Sequence, residues 1–198
     1  MSGARGRDGP RGGPRGGPPA IMLGIALIAR GRAEGFAHFG ATPQAFLASL
    51  APLVAFPLVG GMLLALNGEV HAGIVSFLET ISVLLAQPVI SELVAARWGK
   101  GELWLRYATA FNWCQWVIPV LGSLLIVAIG LLVTMGMPSE WGMPLLLGGL
   151  GGYGLWLQWF LARHGLALGK LRAGGLVVLV NLGTAALLLV PRLLLGWG

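Results

Sequence analysis

The chain has 198 residues, of which 56% are hydrophobic and only 10% charged, and its mean hydropathy is +0.81. A water-soluble domain carries about 25% charged residues, so this composition excludes a soluble fold and points to an integral membrane protein of one domain. The surplus of 13 Lys+Arg over 7 Asp+Glu is too thinly spread along the chain to form a phosphate-binding face, so nucleic acid is not an expected partner.

Residues 1–19 are nearly all Gly, Pro and Arg, which cannot bury apolar surface; they read as a disordered cytoplasmic tail. The Gly-every-third-residue pattern fails at Gly13, so it is not collagen. Residues 20–29, AIMLGIALIA, reach only ~15 Å as a helix, about half a bilayer core. With Arg30 and Arg32 behind them they predict an amphipathic segment over 20–41 that lies in the membrane interface; a signal peptide is the alternative, but no A-x-A-like cleavage site follows.

Five longer apolar runs then occupy residues 42–198. The first covers 42–66 and opens on Thr42-Pro43, an N-cap followed by proline at the first helical position. The others cover about 70–94, 105–135, 141–162 and 173–195, the third long enough to tilt or to kink at Pro119. Each exceeds the ~20 residues that a span requires. The expected fold is an all-α integral membrane helical bundle, five transmembrane helices preceded by a short interfacial helix.

Charge placement orients it. Arg5, Arg7, Arg11, Arg15, Arg30 and Arg32 precede the first span; Arg97, Lys100 and Arg106 lie between the second and third; Arg163, Lys170 and Arg172 lie between the fourth and fifth. Arg192 alone falls on the other side, so twelve of the thirteen basic residues share one face. The positive-inside rule then places the N-terminus in the cytoplasm and the C-terminus outside, as in a multi-pass protein of a cell inner membrane. Trp98, Trp104, Trp141, Trp156, Trp159 and Trp197 sit near span ends, as an aromatic belt does. The same basic face makes anionic lipid headgroups an expected partner.

Within the spans, polar residues are the candidates for function. Glu79 lies nine residues into the second span, where an ionised carboxylate is costly. Ser76, Glu79, Thr80, Gln87 and Ser91 fall on an arc of about 120° on one helix face. Thr109, Asn112, Gln115, Trp116, Pro119 and Ser123 form a second stripe, expected to turn toward the first, and Pro119 frees the carbonyl of Gln115. Asn181 and Thr184 extend this intramembrane polar core from the fifth span. Such a core is either a seam that fixes helix register or a cation and proton route. Gly148 and Gly152 in the fourth span form a G-x-x-x-G helix-packing pattern, and Pro52, Pro57, Gly60 and Gly61 suggest a kinked, closely packed first span.

Catalytic signatures are missing. The lone Cys114 and the three dispersed histidines make neither a metal set nor a Cys/His pair, so no cofactor and no metal are expected. No phosphate loop, G-x-S-x-G or HExxH is present. Glu92 and Glu102 are expected to balance Arg97, Lys100 and Arg106. A lipid-active membrane enzyme would have to use His38 or His164, each without a nearby carboxylate in sequence.

The stretch LRYATAFNW leading to Pro119 and Gly122, then GGYGLWLQWFLARHGLALGK and the closing apolar span, resembles bacterial members of the Yip1 family over roughly residues 103–190. Arg106-Tyr107-Ala108 stands where such proteins carry an arginine and a Tyr-Ala pair into a proline-containing helix. The eukaryotic members' DLYGP-like signature is absent, so no functional residue carries over. The resemblance implies a non-enzymatic protein that scaffolds or organises membrane components, with a homo-oligomer or another membrane protein as partner. The competing expectation is a small transporter, or a subunit of one, built around Glu79.

Overall fold

A computed structural model describes residues 17–195, with side chains described to residue 189. The expected disorder of residues 1–16 and the positions of the Arg192 side chain and of Trp197 lie outside that range. Among the described residues there are seven α-helices and no strand. In order they are α1 (Pro18–Ala29), α2 (Pro43–Leu66), α3 (Val70–Arg97), α4 (Gly101–Cys114), α5 (Val117–Thr134), α6 (Gly142–Gly165) and α7 (Lys170–Leu195), with short 3-10 turns at Ala33–His38 and Ser139–Trp141. Five stretches are long and apolar enough to cross a membrane: α2, α3, α4 and α5 taken together, α6, and α7. The chain is thus an all-α multi-pass membrane bundle with a shorter apolar helix in front.

Local chemistry explains the helix ends. Thr42 caps α2, its Oγ1 accepting from the Ala45 amide at 3.2 Å with Pro43 behind it. The α2–α3 turn closes with the Glu69 amide donating to the Leu64 carbonyl at 3.0 Å, which requires the left-handed backbone of Gly68 (φ 90°). The start of α1 corrects the sequence reading: the helix begins at Pro18, inside the stretch assigned to the disordered tail. Proline lacks only an N–H that the first helical turn leaves unpaired, so Pro18-Pro19 open the helix instead of blocking it.

The third span is two helices. Pro119 has no N–H for the Gln115 carbonyl, and its ring crowds that carbonyl. The carbonyl takes the Ile118 amide at 3.3 Å instead, and the Trp116 amide reaches Trp113 at 3.3 Å. These tighter i→i+3 bonds mark a 3-10-type turn at Gln115–Trp116, one turn before the proline. Together α4 and α5 run 34 residues, or ~51 Å, well beyond the ~30 Å hydrocarbon core.

Packing is lopsided. The buried cluster joins Ile28 of α1, Phe36 and Phe39 of the following turn, Ala95 at the end of α3, Trp104 to Cys114 of α4, Leu157 to Ala162 of α6, and Ala173 to Val180 of α7. All of these belong to the half of the bundle nearer to the basic loops. There, α4 is the central helix, with eight of its fourteen residues buried, and it touches α1, α2, α3 and α6. Helix α1 is more than an interfacial strip: Ile28 is fully buried, and Tyr153 of α6 donates its hydroxyl to the Ala29 carbonyl at 2.9 Å. Toward the opposite end the close approaches are made at glycines. A Cβ on Gly61 would stand 2.8 Å from the Gly73 carbonyl, which shows how tightly α2 and α3 cross. Leu63, Leu124, Leu131 and Leu147 are exposed there to the surrounding medium, which for a membrane bundle is lipid.

Candidate functional site: an intramembrane belt of amides

Three interhelical amide contacts organise the interior. In α4, Asn112 is 4% exposed and donates its Nδ2 to Ser49 Oγ of α2 at 2.9 Å; Ser49 is fully buried and in turn donates to the Phe46 carbonyl at 2.6 Å. Gln115, at the helix break, donates Nε2 to Gln87 Oε1 of α3 at 3.1 Å. Asn181 of α7 donates Nδ2 to Gln158 Oε1 of α6 at 2.7 Å and also to its own Val177 carbonyl at 2.8 Å. A fourth contact joins Trp104 Nε1 to Ser91 Oγ at 3.1 Å.

Gln115 and Gln158 also line one small cavity with Phe111, Cys114, Ile118 and Leu157, of about 30 Å³. That is room for one water, which needs ~10–15 Å³ and at least two polar partners. The amides of Gln87, Gln115, Gln158 and Asn181 therefore make a belt through α3, the α4–α5 break, α6 and α7, with a water-sized gap in its middle. In hydrocarbon an unmatched amide is costly, so pairing each with another fixes which helix faces meet.

The sequence-predicted residues divide accordingly. Gln87, Gln115 and Asn181 belong to this belt, and Asn112 is the most buried amide of the site. The stripes meet only in part: Gln115 of the second pairs with Gln87 of the first, as expected, whereas Asn112 turns to Ser49 of α2 and not to the Glu79 face of α3. The reason is the central position of α4, which lies against α2 as well as α3 and α6. Thr109 is 2% exposed, with its hydroxyl donating to its own Leu105 carbonyl at 2.8 Å. Ser76 and Thr80 are exposed, and Thr80 donates back to the Ser76 carbonyl at 2.8 Å. Glu79 is half-buried in α3 and engaged with a neighbour. Thr184 Oγ1 is buried, with no hydrogen-bond partner among the described residues.

Gly148 and Gly152 are exposed, and a Cβ on either would meet nothing within 4 Å. Close helix approach falls instead to Gly61 with Gly73, and to Gly183, where a Cβ would lie 2.6 Å from Ile90 Cδ1. Ser49 and Gln158 were not singled out by sequence reasoning. Gln158 was visible as an uncompensated polar residue within an apolar run; Ser49 carried no such signal.

The charged groups near the basic end behave differently from expectation. Glu92 and Glu102 form no ion pair with Arg97, Lys100 or Arg106; Arg32 and Glu34 pair instead, at 3.5 Å and well exposed. Solvated side chains gain too little from pairing to be held together, even one turn apart on the same face as Glu102 and Arg106 are. His164 points its Nδ1 at the Phe160 carbonyl, 3.1 Å away, and lies tilted against the Phe160 ring, 4.3 Å between centroids. His38 belongs to the turn after α1 and is half-buried. Among the described residues no group of three or more His, Cys, Asp or Glu could hold a metal ion.

No family model, curated protein or solved structure matches the chain.

Proposed function

We propose that this protein is a non-enzymatic component that organises or scaffolds other constituents of a membrane, by way of its helix surfaces and not by turnover. The observation that carries this reading is the pairwise closure of its interior amides. Asn112 with Ser49, Gln115 with Gln87, and Asn181 with Gln158 are hydrogen-bonded to one another across helix interfaces, and the gap between them admits one water. Groups arranged to bind a solute converge on shared space and remain available to it; these are committed to holding helices together. The Yip1-like stretch over roughly 103–190 agrees with such a role, as does an inner-membrane location with the basic end cytoplasmic.

The test is the assembly state in mild detergent, by light scattering and native mass spectrometry. A homo-oligomer or a stoichiometric membrane-protein partner is the expected result. A strictly monomeric, partner-free protein that drives solute flux in proteoliposomes overturns the reading. The second reading, a small transporter, rests on Glu79, half-buried within a span. Proton-coupled flux abolished by Glu79→Gln is the result that favours it.

A further inference from the structure

Beside the amide belt, at the basic end, a separate groove runs between α1, the linker into α2, the first turns of α2, and α4. Its volume is about 230 Å³, and Ile21, Phe39, Ala45, Ala48, Thr109 and Trp113 contribute to its walls. The concavity comes from small residues: Ala45 and Ala48 lie three apart on α2, where larger side chains would fill it. Its two polar wall side chains are engaged within the chain, Thr109 donating to the Leu105 carbonyl and Thr42 accepting from the Ala45 amide, so the surface offered to an occupant is mostly apolar. The volume is below the ~300–1,000 Å³ of sites that enclose a drug-sized molecule and suits a single chain entering from the side.

Charge lies at one end of it. At 100° per residue Arg106, Thr109 and Trp113 share one face of α4 within about 60°. Arg106 is one turn nearer the basic loop than Thr109, and Trp113 is ~10 Å deeper along the helix axis. Arg106 is exposed and forms no ion pair among the described residues; Glu102, one turn away, is not within salt-bridge distance. Arg30, Arg32, Arg97 and Lys100 belong to the same end of the bundle and add to a positive field at headgroup level. A mostly apolar slot whose α4 wall continues, one turn toward the basic loop, to the exposed Arg106 matches one kind of molecule: a phospholipid whose acyl chain lies along Ala48 and Trp113 and whose anionic headgroup reaches Arg106.

We infer that this groove is a specific site for one anionic phospholipid, held between α1, α2 and α4 as an integral part of the packed end. The experiment is native mass spectrometry of the full chain in mild detergent, offered equal amounts of phosphatidylglycerol and phosphatidylcholine with identical acyl chains. Wild type should retain one lipid per chain and favour phosphatidylglycerol about fivefold, the value of one headgroup–guanidinium contact. Arg106→Gln should retain lipid but bring the two headgroups to parity. Ala48→Phe should abolish retention of both, and the smaller Ala45→Leu should weaken it if the Phe variant does not yield a monodisperse protein. Retention unchanged in both groove variants, equal retention of the two lipids by wild type, or an unlipidated dimer that dissociates on Ala48→Phe each overturn the assignment.

Discussion

Ser49→Ala removes the acceptor for the most buried amide in the bundle. Asn112 is 4% exposed and Ser49 fully buried, with 2.9 Å between Nδ2 and Oγ. In a soluble core an abandoned buried donor costs about 1–3 kcal/mol. Inside a membrane the unfolded reference also finds partners, and measured interhelical bonds average ~0.6 kcal/mol with a maximum near ~1.7. Full desolvation places this pair toward the upper part of that range, at about 1 kcal/mol. The single substitution carries extra cost, because Ser49 also donates to the Phe46 carbonyl at 2.6 Å, and Asn112→Ala adds a void. Both extras cancel in the double-mutant cycle, which isolates the pair. The assay is reversible unfolding by sodium dodecyl sulfate in mixed micelles, followed by the fluorescence of the eight tryptophans. A coupling energy near 1 kcal/mol is expected. A value below ~0.3 kcal/mol, the scatter of independent sites, refutes the claim that this amide pair ties α2 to α4.

Gly73→Ala should destabilise the bundle by about 1–3 kcal/mol in the same assay, because the new methyl group meets the Gly61 backbone carbonyl, which cannot move aside as a side chain can. Gly148→Ala, in open space on α6, should leave stability unchanged or raise it by up to ~1 kcal/mol through helix propensity; a loss as large as that of Gly73→Ala would mean that Gly148 packs against something. Tyr153→Phe deletes the bond to the Ala29 carbonyl and should speed amide hydrogen exchange in α1 about tenfold, for a loss of ~0.5–1.5 kcal/mol; unchanged protection of α1 would show that its apolar contacts alone hold it. Proteoliposomes carrying wild type should acidify no faster than empty vesicles under a pH gradient, and uptake that disappears in Glu79→Gln would replace scaffolding with transport as the function. Asn67→Cys and Ser139→Cys should react with an impermeant maleimide from outside intact cells while Lys100→Cys does not; native Cys114 is buried and supplies little background, and the reverse pattern would invert the topology drawn from the basic loops.

Hydropathy and charge spacing made the architecture legible because each span must satisfy its own backbone and remain apolar for about 20 residues, a condition visible in any window of sequence. Thr42-Pro43 and Pro119 were legible for the same kind of reason: a cap and a missing N–H act within four residues. What the sequence could not supply was azimuth. A helical wheel shows that Asn112 and Gln115 share a face, yet whether that face meets α2 or α3 depends on how α4 is seated among its neighbours. In the event Asn112 meets Ser49 and Gln115 meets Gln87. The glycines show the same limit. G-x-x-x-G at Gly148 and Gly152 is a local pattern that turned outward, while the tight crossing pairs Gly61, which did suggest close packing of the first span, with Gly73 across a turn, a partner that no single-helix motif announces.

The lopsided core bears on what such a molecule can do. Water drives apolar burial only where water is present; within lipid a leucine gains little by leaving acyl chains for another helix. Aromatic and aliphatic packing is correspondingly concentrated at the end that carries the charged loops, where Phe36, Trp104, Tyr107, Phe160 and Leu166 close over one another. Toward the other end, cohesion depends on backbone approach at Gly61 and Gly73 and on α5 lying against α6, and those contacts leave Leu124, Leu131 and Leu147 facing outward. One end is thus fixed by side-chain interlocking and interhelical amides, while the other presents apolar helix faces whose cheapest rearrangement is to exchange lipid for another helix. A rigid base with exchangeable faces suits a protein that holds partners, whereas alternating access would need the reverse: a polar midplane free to open, where Gln87, Gln115, Gln158 and Asn181 are instead bound to one another in pairs.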